Sequence, residues 1–190
     1  SAGTGEVRVA RQPRLAVVST GDELVDPGAA LDRGQIPDSN SLLISFLAED
    51  AGVELLVETI PCVERPLADR LRTLHDAVPA LRFTVDSRLL ALQDAIESVL
   101  ETDWLWNRGQ VAHVHVSDCR RNADGVPEQR PILQPGKGCI DFTAFFAGLR
   151  KRRYAGAITL EAPAVDVETR TVDTSVLNDT FAYIRAAMRA

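Results

Sequence analysis

VAHVHVSD at residues 111–118, and PGKGCIDFTAFFAGLRKRRYAGAITLEAP at residues 135–163, decide how this chain is read. The first opens on a short apolar run of Val111, Ala112, Val114 and Val116. It closes on Ser117 and Asp118, which predicts a buried strand over 111–116. A polar loop follows over 118–138. Residues 142–153 repeat apolar side chains at helical spacing, and 157–160 read as a second strand. Strand, helix and strand of these lengths make a βα rhythm around a parallel sheet. One polar residue stands at the C-terminal end of each strand: His115 inside the first and Glu161 just after the second.

The rhythm extends in both directions. Toward the N-terminus come a strand over 53–60, a helix over 66–78, a strand over 81–85 and a helix over 89–100; a closing helix covers 176–188. Glu58 and Asp86 take the same place in these strands as His115 and Glu161 in theirs. In parallel α/β folds the C-terminal strand ends converge on the site. A carboxylate in a buried strand costs several kcal/mol unless it is paired or metal-bound. Asp86 also stands where the following helix needs an N-cap.

Two Glu, one Asp and one His form a hard, oxygen-rich donor set. It suits Mn²⁺ or Mg²⁺, with Co²⁺ or Zn²⁺ as alternatives. A cation held there would polarise a carbonyl and its neighbouring hydroxyl. The Glu pair could then move a proton on and off the adjacent carbon, as aldose–ketose isomerisation and epimerisation require.

Bulk properties narrow the field. The 190 residues are 45% hydrophobic and 25% charged, which predicts a globular core. The net charge of −6 argues against a nucleic-acid partner, because phosphate binding needs clustered positive charge. The one basic run, Arg150 to Arg153, reads as a solvated last helical turn that complements the helix dipole. No apolar run reaches the roughly 18 residues a membrane span needs. No secretory leader is read at the start of the chain. Cys62, Cys119 and Cys139 are far apart in sequence and odd in number, and lack metal-finger spacing, so a reduced cytoplasmic setting is expected.

Residues from about 51 to 190 resemble the xylose isomerase-like barrel superfamily, which includes sugar phosphate isomerases and epimerases. The likeness rests on a strand with a metal His, a Pro-Gly-x-Gly-x-Ile-Asp-Phe stretch, a helix, and a strand ending in a metal Glu. ELLVETIP and RFTVDSRL match the two preceding family strands, which end in metal Glu and metal Asp. The resemblance implies that Glu58, Asp86, His115 and Glu161 are metal ligands and that Glu58 and Glu161 are the acid/base pair. It also implies that Arg121, six residues after His115, contacts substrate; His113 is taken as a second substrate-binding residue. The implied partner is a sugar or sugar phosphate. Leu89 stands where the family often has a histidine, three residues after the metal Asp.

Residues 7–52 resemble a different family, the molybdopterin-binding domain of molybdopterin molybdenumtransferase. The shared motifs are Pro-Arg-x-Ala-x-x-Ser-Thr-Gly-Asp-Glu-Leu and Gly-Gln-Ile-x-Asp-Ser-Asn. That likeness implies molybdopterin as cofactor, with Asp22, Glu23, Ser39 and Asn40 in the binding loops. From the residues alone, 15–18 read as a strand, 25–40 as a long loop and 42–50 as a helix. The later Ser-Gly-Gly motif of that family is absent.

The expected fold is therefore α/β with about five βα units: a 1–52 segment, and a 53–190 half of an eight-stranded barrel carrying strands 5–8. Half a barrel exposes strand edges and an apolar inner face. Either an open, flavodoxin-like sheet or a homodimer that closes the ring would cover them. Sugar isomerase/epimerase chemistry, pterin binding and a non-catalytic chimera are the three functional readings.

Overall fold

A computed structural model describes residues 15–16, 24–25, 30, 32–33, 35–37, 50, 55–59, 66–79, 81–165 and 169–190. The chain divides into two compact units, Ser1–Leu56 and Val57–Ala190.

In the first unit, β1 (Leu15–Ala16) pairs in parallel with the start of β4 (Leu55–Glu58) through Leu15↔Leu55 and Ala16↔Leu56. Between them, β2 (Leu24–Val25) and β3 (Ile36–Pro37) form a two-stranded parallel ladder. Part of the expected 25–40 loop is thus paired; Pro and Gly density signals turns but does not forbid short strands. Apart from Asp50, the expected 42–50 helix lies outside the described residues.

The second unit begins at the end of β4. Its elements are α1 (Leu67–Ala77), β5 (Arg82–Asp86), α2 (Ser87–Ala91), α3 (Ile96–Glu101), α4 (Asp103–Asn107), β6 (Val111–Val116), α5 (Phe142–Lys151), β7 (Ala157–Leu160) and α6 (Thr174–Ala187). The sheet order is β4-β5-β6-β7, with parallel ladders from β5 to β6 and from β6 to β7. Counting β1, the described residues include five strands of the expected parallel kind.

Helices form where an apolar stripe meets a cap. In α5, Phe142, Phe145, Phe146 and Leu149 are buried at i, i+3, i+4 and i+7, one face of a helix. Asp141 caps its start by accepting from Ala144 N at 3.0 Å, and Arg150 and Lys151 complement the dipole at its end. Asp173 caps α6 by accepting from the Ser175 and Val176 amides. These helices pack on one face of the sheet, where Phe83, Val85, Val114 and Val116 are buried with the α5 aromatics.

Alternation sends the other side chains to the opposite face. On β6 those are His113 and His115, both half-buried; on β7 they are Ala157 and Thr159, both exposed. The inner face expected to be apolar therefore carries His113, His115 and Thr159 beside Ala157 at β6 and β7.

One expected helix is broken. The 89–100 stretch splits into α2 and α3 around Asp94, which sits at φ 48°. Asp tolerates this left-handed conformation better than most residues. The Ala95 amide reaches back to Leu90 O at 2.9 Å, closing the turn. Helix α4 was not expected at all; it places Trp104 edge-on to Phe83 and stacks it on His75.

Candidate metal centre

The cluster is built by strand register. Asp86 pairs with His115 across β5 and β6, and Glu161 N donates to Val116 O at 3.0 Å as the chain leaves β7. Thr59 N donates to Thr84 O at 3.0 Å, which fixes the residue next to Glu58. Glu58, Asp86, His115 and Glu161 each bring one donor atom to within 4.8 Å of all the others. His115 Nδ1 lies 2.7 Å from Glu58 Oε1 and 3.0 Å from Glu161 Oε2. The side chain of Glu161 is 52% exposed against 17% for Glu58, so the site opens on the β7 side.

Asp86 holds two roles at once. One oxygen caps α2 by accepting from Leu89 N at 2.6 Å. The other, Oδ2, is buried with no hydrogen-bond partner. Burial pushes the Asp86 carboxyl up to about 7; the Leu89 amide opposes this and the Glu58 charge adds to it. Burial alone would lower the His115 imidazole, but the hydrogen bond to Glu58 and the charge of Glu161 outweigh it, so the net shift is upward. Three carboxylates on one imidazole, with a buried oxygen left over, match what a divalent cation would satisfy. The residues fit such an ion: two Glu, one Asp and one His would hold it, all from strand ends.

His113, two residues upstream on the same face, bonds Thr159 Oγ1 at 2.7 Å and meets the His115 ring edge-to-face at 5.1 Å. Arg121 is tied to Asp94 Oδ1 and Gly125 O, both at 2.7 Å, at the bridge Arg121↔Pro127. Leu89, where a histidine was sought, contributes its amide to Asp86. Asp22, Glu23, Ser39 and Asn40 lie outside the described residues.

Sequence reading missed the residues that hold the ligands in place. Thr59 Oγ1 accepts from Asp86 N at 3.0 Å. Ser87 Oγ donates to Ser117 O at 2.7 Å and accepts from Ser117 N at 3.1 Å, stapling the end of β5 to the end of β6. A small hydroxyl residue directly after Glu58 and after Asp86 was the available signal. Asp118 was missed too: it is fully buried, and its carboxylate accepts from the amides of Cys119, Gly136, Gly138 and Ile140 at 2.8 to 3.1 Å.

With this geometry in hand, the chain can be placed. The family model for the xylose isomerase-like TIM barrel matches residues 18–186, and the chain belongs to that family. Solved structures share the fold. A xylose isomerase domain protein from Alicyclobacillus acidocaldarius is 19% identical, with a TM-score of 0.57 over 77% of this chain and 54% of that one. The IOLI protein, solved with a binding zinc atom, is 18% identical, with a TM-score of 0.56 over 76% of this chain and 54% of its own. An L-ribulose 3-epimerase is 17% identical, with a TM-score of 0.54 over 78% of this chain and 52% of the other. The chain spans about half the length of these structures. A second likeness is short: the molybdopterin molybdenumtransferase of Staphylococcus aureus is 45% identical over 53 residues, 28% of this chain and 13% of that protein. No helix among the described residues is long and apolar enough to cross a membrane.

Proposed function

We propose that this chain is the metal-binding half of a sugar isomerase or epimerase. The observation that carries the reading is the four-residue cluster with the buried, unpartnered Asp86 Oδ2. Glu58, Asp86, His115 and Glu161 would hold the ion. When bound, the ion would supply polarisation of a sugar carbonyl and its adjacent hydroxyl. Glu58 and Glu161 each have a second oxygen to carry a proton. One would take it from the carbon beside the carbonyl, and the other would return one. His113 and Arg121 are the proposed sugar contacts. The L-ribulose 3-epimerase likeness supports a small sugar as substrate. A second copy of the chain is the proposed source of the remaining barrel wall, and a clean 20.7 kDa monomer by light scattering would exclude it.

Calorimetric titration of Mn²⁺, Mg²⁺, Co²⁺ and Zn²⁺ into the full chain tests the reading. One site is expected, lost in Asp86→Asn and His115→Ala. Absence of binding by all four ions sinks it. Deuterium wash-in from heavy water at the carbon beside a ketose carbonyl then tests the proton transfer.

The short transferase likeness supports a second reading, in which Asp22, Glu23, Ser39 and Asn40 bind molybdopterin. A molybdopterin titration with no binding removes it.

A further inference from the structure

Cys119 and Cys139 are 20 residues apart in sequence, and the fold brings their sulfurs to 3.9 Å. Both are free thiols; Cys119 is fully buried and Cys139 is exposed. Their backbones are already joined, since Cys139 N donates to Cys119 O at 2.8 Å. The 3.9 Å between the sulfurs exceeds the ~2.05 Å of an S–S bond by only about 2 Å. The two sulfurs thus start within reach of each other, on backbones that one hydrogen bond already holds together.

The surroundings favour a defined pairing. Cys139 lies between Gly138 and Ile140, whose amides are pinned to the Asp118 carboxylate. A Cβ on Gly138 would run into Cys119 O and the Asp118 carboxylate, so only glycine lets the loop lie this close. Burial pushes the Cys119 thiol up to about 12, with Cys139 beside it adding to the shift. Cys119 is thus shielded from direct attack, and the exposed Cys139 is the point of entry.

We propose that Cys119 and Cys139 form a reversible disulfide with a low-molecular-weight disulfide as oxidant, clamping the glycine loop to the end of β6. The Cys139 thiolate attacks one sulfur of the oxidant, forming a mixed disulfide and releasing one thiolate. Cys119 then loses its proton to solvent and attacks Cys139 Sγ, expelling the second thiolate. Both released thiolates take up protons. Two cysteine thiols are oxidised, one disulfide is reduced, and the electrons balance. The inference is independent of metal binding.

The test treats the full metal-free chain with excess oxidised glutathione and maps its peptides by mass spectrometry. A Cys119–Cys139 linked peptide is expected, with two of the three thiols lost and both restored by dithiothreitol. Cys62→Ser should leave the link intact. Cys119→Ser should halt at a glutathione adduct on Cys139, and Cys139→Ser should block both products. The clamped chain should unfold at a higher temperature, by roughly 5 °C. A link to Cys62, a link between chains, a wild-type chain that stops at the mixed disulfide, or an unchanged Tm would each overturn the proposal.

Discussion

Two buried aspartates, Asp86 and Asp118, sit at the C-terminal ends of neighbouring strands and meet opposite fates. Asp118 takes four backbone amides, spread over both oxygens. Asp86 takes one from Leu89 and leaves Oδ2 without a hydrogen bond, in a cluster with two glutamates and a histidine. A saturated buried carboxylate organises backbone; an unsaturated one among like charges takes up a proton or leaves room for a cation. Burial alone therefore does not mark a functional acid. Whether its acceptor capacity is spent does.

The largest expected effect breaks the saturated partner. Asp118→Ala strands four amides, and an unmade buried hydrogen bond costs about 1–3 kcal/mol each before relaxation. A net loss of about 3–5 kcal/mol in urea unfolding is expected; a loss under about 1 kcal/mol would mean that the glycine loop does not depend on this carboxylate. Next comes the unsaturated partner. Asp86→Asn keeps the α2 cap through its amide oxygen but removes a charged ligand, so ion affinity should fall at least ~100-fold. The same variant should leave the metal-free chain as stable or more so, unlike Asp118→Ala, and a large destabilisation would erase the contrast.

Gly138→Ala tests how close the saturated carboxylate must approach its amides. The added methyl meets Cys119 O and Asp118, and about 2 kcal/mol of stability should be lost in the same assay.

The smallest effect is in pH. The folded Asp86 carboxyl, at about 7, lies above the ordinary aspartate value of 3.8, so its ionisation penalises the folded state. That penalty is relieved as pH falls from about 7 towards 4. His115 is raised from 6.5, so its contribution is full below 6.5 and is lost as pH rises through the folded value. The metal-free chain should therefore be more stable near pH 5.5 than near pH 8, by about 1 kcal/mol. Ion affinity should run the other way, because protons occupy the ligands. A metal-free stability that rises with pH would contradict both shifts.

Much of this was legible in the chain. Strands 111–116 and 157–160 have the expected bounds, because short apolar runs (Val-rich in the first, Ala-Ile-Thr-Leu in the second) between polar flanks leave few alternatives. The four cluster residues were legible because each interrupts or ends an apolar run, a position where ionisable side chains are costly. The break at Asp94 was not, since Leu89, Leu90, Leu92, Ile96, Val99 and Leu100 read as one stripe with no Gly or Pro between them. Asp118 was hidden for a different reason. A lone Asp after a strand looks like any loop residue until the amides of a loop some 20 positions on fold back onto it. The cysteine pair was hidden in the same way: separation along the chain said nothing about separation in space.

The alternation along β6 and β7 has a consequence for whatever abuts that side of the sheet. His113, His115 and Thr159 make it a surface that wets instead of sticking. A greasy wall left bare would drive promiscuous aggregation; this one asks any neighbour to arrive with donors and acceptors already matched. Only a counterpart of the right polarity, set in the right register, would find a seat there, and the lip of the cluster would stay accessible to water until it did.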